Sequence, residues 1–174
     1  MEYETYFDRI SERAVGRYDV SALFDDYRVF DAVIADFVEP FRERDIDAVA
    51  GIDALGFVLG TGVAMELAVG FHPIRKGGKL PIPDDDRIQQ AVTDYTGEEK
   101  CLELDAARVT PGLRVLVVDD WMETGAQMDA ATSLVKQAGG TVAGIAVLDC
   151  EQNDRSRAIA TEYDLHTVNP DTSL

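Results

Sequence analysis

The chain has 174 residues, 46% of them hydrophobic, enough for one domain with its own core and too apolar for a disordered segment. Its net charge of −17, from 33 acids against 16 Lys and Arg, leaves no basic stripe for nucleic acid. No apolar run approaches the ~20 residues that cross a bilayer, so no membrane partner is expected.

The acids are spread along the whole chain and read as a solvated surface that self-repels at low salt, the pattern of a salt-adapted organism. Cys101 and Cys150 have no metal-ligand spacing and form no disulfide framework, so a reducing, cytoplasmic setting is expected. The first ten residues are acidic and helix-patterned rather than a secretion signal.

Tyr3, Tyr6, Phe7, Ile10 and Ala14 fall at helical spacing and predict a first helix. The stretch RYDVSALFDD (17–26) has no clear period and reads as a loop. Val29, Phe30, Val33, Ile34, Phe37 and Val38 predict a second helix running to Pro40 and Phe41. Residues 48–52 read as a strand ending at Asp53, 56–69 as a small-residue helix, and 71–75 as a strand. Residues 76–98, rich in Gly, Pro and Asp, are expected to be irregular. Lys100 to Leu104 alternates like a strand, and Asp105 caps a short turn closed by Pro111-Gly112. The strongest strand is 114–118. A helix over 125–138 follows, stopped by Gly139-Gly140, then a strand at 142–148, a helix at 154–163 and a last strand at 165–168. Strands alternating with helices, and central strands apolar on both faces, predict an α/β fold built on a parallel sheet.

The segment VLVVDDWMETGAQM (115–128) carries the functional signal. Ligands of open α/β sheets bind at the carboxyl ends of strands, where Asp119 and Asp120 stand. A helix N-terminus follows at Thr124-Gly125-Ala126, whose outward N–H groups and positive dipole end favour a phosphate. The paired carboxylates suit sugar hydroxyls or a hydrated Mg²⁺. Phosphate, hydroxyls and metal together describe a sugar phosphate. Helix capping alone is the competing reading, and it explains one aspartate better than two. Gly60-Thr61-Gly62 is a weak dinucleotide signal, because Met65 stands where a third glycine would be needed.

This segment resembles the phosphoribosyl pyrophosphate (PRPP) motif of type I phosphoribosyltransferases. GIDALGFVLG (51–60) resembles the pyrophosphate loop of the adenine branch, RKGGKLP (75–81) its basic loop, and DVSALFDD (19–26) its N-terminal hood. The resemblance implies a parallel-sheet type I phosphoribosyltransferase fold in a single domain over 1–174. Residues 1–45 would supply N-terminal helices and the hood, and 46–170 the core. It implies transfer of ribose 5-phosphate from PRPP to a purine base, adenine first, in purine salvage and commonly as a homodimer. Thr124, Gly125, Ala126, Gln127 and Met128 would wrap the 5-phosphate, and Asp119 and Asp120 would hold the ribose. Asp53, Ala54, Leu55, Arg75, Lys76 and Lys79 would meet the pyrophosphate. Mg²⁺ would ride on PRPP without direct protein ligands. Val20, Leu23, Phe24 and Trp121 would face the base.

Several positions depart from the adenine pattern. Leu55 replaces a usual Arg and Gln127 a usual Thr, and the flexible-loop Glu is matched only loosely by Glu98. Glu123 replaces a usual Ala. The 6-oxopurine branch has Asp at that place, so Glu123 reads as a general acid/base and keeps hypoxanthine or guanine as alternative acceptors. Leu55 together with the loose match of Glu98 also admits a PRPP-sensing regulator of the same fold. Core packing accounts equally well for Val20, Leu23, Phe24 and Trp121, and His72 and His166 are expected to be structural.

Overall fold

The computed structural model describes residues 8–14, 17–93 and 99–172. Two short strands, β1 (Ser11–Ala14) and β2 (Arg17–Asp19), pair antiparallel with Ser11 opposite Asp19. This corrects the first expected helix over its described part. A short isolated helix is marginal in water, whereas the hairpin gives each strand's backbone a partner. Tyr3, Tyr6 and Phe7 lie outside the described residues. The chain then makes a 3₁₀ turn at Ser21–Leu23, started by Asp19 accepting from the Ser21 N–H at 2.9 Å.

Helix α1 (Tyr27–Val38) starts where the Asp26 carboxylate accepts from the Arg28 N–H, and it turns Val29, Val33, Ile34, Phe37 and Val38 inward. It ends in a 3₁₀ turn at Glu39–Phe41, where Pro40 stops the α-helical ladder. Then follow β3 (Ala48–Ile52), α2 (Leu55–Glu66), β4 (Gly70–Lys76), β5 (Arg87–Thr93), β6 (Glu99–Asp105), β7 (Arg114–Val118), β8 (Trp121–Met122), α3 (Ala126–Gln137), β9 (Thr141–Val147), β10 (Asp149–Cys150), α4 (Asp154–Glu162) and β11 (Leu165–Thr167).

Strand β5 corrects the irregular reading of 76–98. It pairs with β6 along its whole length, from Arg87 opposite Asp105 to Thr93 opposite Glu99. It lies at the sheet edge, so it needs to bury only part of one face, and among its residues Val92 alone is buried. That leaves too little apolar periodicity to announce a strand.

The main sheet has the order β11-β9-β7-β3-β4-β6-β5. The first five strands are parallel, and β6 and β5 extend the sheet antiparallel. Alternate residues of each central strand feed two cores. Val115 and Val117 of β7 pack with Ile52, Leu134 and Ile145 on the α3 side, while Leu116 and Val118 pack with Phe37, Phe41 and Leu59 on the α1–α2 side. Helices on both faces explain why these strands are apolar throughout. From β3 the chain steps to β4 on one side, and from β7 it steps to β9 and β11 on the other. The strand order therefore reverses between β3 and β7, which opens a crevice at their carboxyl ends. Among the described residues no helix is long and apolar enough to cross a membrane.

Candidate functional site

The loops after β3 and β7 meet at that crevice. Gly56 lies so close to the end of β7 that a Cβ there would sit 2.8 Å from the Val118 carbonyl and 2.9 Å from Asp119 Oδ1. Only glycine lets the two loops touch. Asp119 is 7% exposed and accepts from the Asp120 N–H at 3.0 Å. Burial and the neighbouring Asp120 carboxylate push the Asp119 carboxyl well above the usual range, with Lys76 pulling weakly the other way. Asp120 is half-buried. The pair is therefore asymmetric, one carboxyl favouring its proton and one open to the cleft.

Gly125 turns the chain with φ +76° and starts α3. Thr124 Oγ1 accepts from the Ala126 N–H at 3.3 Å. The next N–H groups, of Gln127 and Met128, belong to the first helical turn and have no intrahelical acceptor. The Met128 side chain is in the core, so this residue can serve an anion only through its backbone. Asn153, which caps α4, donates through Nδ2 to the Glu123 carbonyl at 2.9 Å and fixes that turn, while the Glu123 carboxylate stays exposed.

Asp119, Asp120, Glu123 and residues 124–128 line a cleft of about 280 Å³ together with Trp121 and Lys76. A second cluster stands at the end of β3. Asp53 Oδ2 receives Arg75 Nε at 3.4 Å and Lys79 Nζ at 3.6 Å, and the Arg75 guanidinium lies over the Phe57 ring at 5.8 Å. The cations of the RKGGKLP segment are thus divided, Lys76 facing the cleft and the other two neutralising Asp53.

A family model described as a phosphoribosyl transferase domain matches residues 19–172. The chain belongs to the phosphoribosyltransferase family. Solved adenine phosphoribosyltransferases share its fold. That of Rhodothermus marinus is 31% identical with a TM-score of 0.86, covering 95% of this chain and 96% of that one. That of Thermoanaerobacter pseudethanolicus is 29% identical with a TM-score of 0.86, covering 96% and 98%. The Giardia lamblia enzyme, complexed with 9-deazaadenine, is 26% identical with a TM-score of 0.86, covering 97% of each chain.

Within this phosphoribosyltransferase, Asp119, Asp120, Trp121, Glu123 and residues 124–128 line one cleft, joined by Lys76. Ala54 is exposed, and Leu55 packs half-buried against the α1–α2 core. Glu98 lies outside the described residues. The hood side chains are placed differently from the expectation that they face the base. Val20 and Leu23 are 1% and 0% exposed within the core, and Phe24 packs edge-to-face on Phe30 at 5.5 Å. The 3₁₀ turn at Ser21–Leu23 rolls these residues under α1.

The aromatic face on that side belongs to Tyr18, whose ring stacks on Trp121 at 4.4 Å and 17°. Sequence reasoning missed Tyr18 because the RYD stretch has no period. Lys100 and Glu151 also reach the cleft and were missed, because each comes from an element distant in sequence. A second hollow shares Tyr18, Trp121 and Glu151 with the cleft and is bordered by Asp149, Asn169 and Thr172. His166 contacts the Asp36 carbonyl at 3.1 Å, and burial lowers its pKa, consistent with a structural role.

Proposed function

We propose that this chain transfers ribose 5-phosphate from PRPP to a purine base, adenine first, giving the nucleoside monophosphate and pyrophosphate. One observation carries the reading: Asp119-Asp120 and the N-terminus of α3 open onto one cleft at the strand-order reversal. The 5-phosphate would sit on the N–H groups of Ala126 to Met128, with Thr124 and Gln127 beside it. Asp120 would accept from ribose hydroxyls. Asp119, whose surroundings favour its proton, can donate as well as accept.

The reaction forms a bond from a ring nitrogen to the anomeric carbon and breaks that carbon's bond to pyrophosphate. Positive charge develops on the sugar and negative charge on the leaving group. The Asp120 carboxylate and the cations Arg75, Lys76 and Lys79 would stabilise the two ends. Pyrophosphate would draw Arg75 and Lys79 away from Asp53. Glu123 would take the proton that the ring nitrogen loses, while Trp121, with Tyr18 opposite, would present a flat face to the base.

Among the described residues no group of three or more His, Cys, Asp or Glu converges to cage a metal. The carboxylates lining the cleft are Asp119, Asp120, Glu123 and Glu151, and the adjacent aspartates suit a hydrated Mg²⁺ carried on the diphosphate rather than a bare ion. Bound there, Mg²⁺ would offset the charge of the leaving pyrophosphate.

A homodimer is part of the proposal. Helix α2 is apolar around its circumference, yet Val58 and Met65 on it remain exposed, as a helix does when a second copy is to cover it. Light scattering after size exclusion would read the mass directly. A cytoplasmic location fits the two free cysteines.

The test of function is pyrophosphate release in high salt with Mg²⁺ and PRPP across adenine, hypoxanthine, guanine, xanthine, uracil and orotate. Release with adenine supports the leading reading. Release with hypoxanthine or guanine only moves the chain to the 6-oxopurine branch, which the exposed Glu123 carboxylate in the cleft favours. PRPP binding without release from any base would indicate a regulator.

A further inference from the structure

Among the described residues Glu103 is the carboxylate with no exposure at all, 0% between Leu102 and Leu104 on β6. A charge taken out of water is costly unless hydrogen bonds replace the lost hydration. Here the backbone of the basic loop replaces it. Glu103 Oε1 accepts from the N–H of Lys79 at 2.7 Å and of Leu80 at 2.6 Å, and Oε2 accepts from Gln89 Nε2 at 3.3 Å. Burial pushes the Glu103 carboxyl up, but the N–H groups of Leu80, Lys79 and Gly78 and the Gln89 amide outweigh it and hold the pKa below the ordinary value. Successive N–H groups turned onto one point form an anion-binding nest. This nest is filled by the protein's own carboxylate.

The loop is held from its carbonyl side as well. Arg87 of β5 lies 3.5 Å from Glu103 Oε2 through Nε, an ion-pair distance, while its Nη2 donates to the carbonyls of Leu80 at 3.0 Å and Ile82 at 2.9 Å. The buried Glu103 and the partly exposed Arg87 thus grip residues 79–82 by both kinds of backbone group. Beyond the grip, the Lys79 side chain reaches Asp53 at 3.6 Å, beside Arg75.

We infer that Glu103 is a positioning residue for the pyrophosphate half of the site, fixing the backbone of residues 78–80 so that Lys79 is held across the β3 loop. The inference rests on the phosphoribosyltransfer reading above. Glu103 touches no substrate; it acts through the loop that carries Lys79. With the grip intact, Lys79 can pass from Asp53 to pyrophosphate without the loop having to order first. Without it, binding pyrophosphate would include ordering the loop, and affinity would fall.

The test is Glu103→Gln, which keeps the shape and one acceptor oxygen for the N–H groups but removes the charge and turns a donor toward Gln89 and Arg87, with Glu103→Asp as the conservative variant. Titration calorimetry with Mg²⁺-pyrophosphate should show affinity weakened about tenfold in Glu103→Gln, the size of one lost charge-assisted contact, and partly restored in Glu103→Asp. In steady state, KM for PRPP should rise by a similar factor while KM for the base stays unchanged. A purely structural role would lower the melting temperature and the active fraction but leave pyrophosphate affinity per folded molecule unchanged, and that result would overturn the inference. If Glu103→Gln does not fold, Arg87→Lys removes the paired carbonyl contacts and should show the same selective loss; unchanged pyrophosphate affinity there would also overturn it. Wild-type protein that neither binds pyrophosphate nor transfers ribose phosphate would overturn the functional reading instead.

Discussion

Replacing Gly125 with alanine probes the proposed anion cradle at its pivot. Gly125 holds φ +76°, and a side-chain-bearing L-residue there costs about 1–2 kcal/mol. The added Cβ would also lie 3.0 Å from Arg155 Cγ and 3.2 Å from Ile159 Cδ1. The Arg155 side chain is half exposed and can give way, so crowding adds little to the backbone strain. If the loop keeps its shape, the strain appears as lost stability, a fall of roughly 3–6 °C in Tm for a domain of this size. If the loop relaxes instead, the N–H groups of Ala126 and Gln127 turn off the phosphate, and about 1.4 kcal/mol of lost contact weakens PRPP binding roughly tenfold. Differential scanning calorimetry and PRPP titration together distinguish the two responses. A variant with both Tm and PRPP affinity unchanged would refute the reasoning that this turn shapes the phosphate site.

Other perturbations separate the remaining roles. Glu123→Ala should lower kcat about 100-fold with PRPP affinity retained, as for loss of a general acid/base; unchanged turnover removes Glu123 from the mechanism. Asp119→Asn should raise Tm at pH 8 while reducing activity. Folding raises the Asp119 pKa, so its ionisation costs stability as pH climbs from 3.8 through the folded value, and asparagine removes that slope. Melting curves from pH 5 to pH 8 that run parallel for wild type and variant would contradict this. The net charge of −17 predicts that Tm rises as KCl goes from about 0.1 M to about 2 M, because screening relieves self-repulsion. Equal stability at both concentrations would remove the case for salt adaptation.

The central strands and helices were legible in the sequence because their apolar patterns are local. β3, β7 and β9 read as unbroken apolar runs, for helices cover both of their faces, and α1 shows its inward stripe at helical spacing. The segment proposed to cradle the phosphate was equally legible. Asp119, Asp120, Thr124 and Gly125 are neighbours in the chain, so a strand end and a helix start bring them together whatever the rest of the fold does.

Tertiary structure alone decided three other matters. Strand β5 exists because β6 offers it an edge, and an edge strand carries too weak a pattern to be seen beforehand. The hood residues Val20 and Leu23 went into the core and left Tyr18 to stack on Trp121, since one 3₁₀ turn settles which way they face. The buried Glu103 looked like an ordinary acid in an acidic chain. Its importance comes from the N–H groups of Lys79 and Leu80, more than twenty residues earlier, which only the sheet brings within hydrogen-bonding distance. Sequence pattern records which face of an element is apolar; contacts between elements distant in the chain leave no period to read.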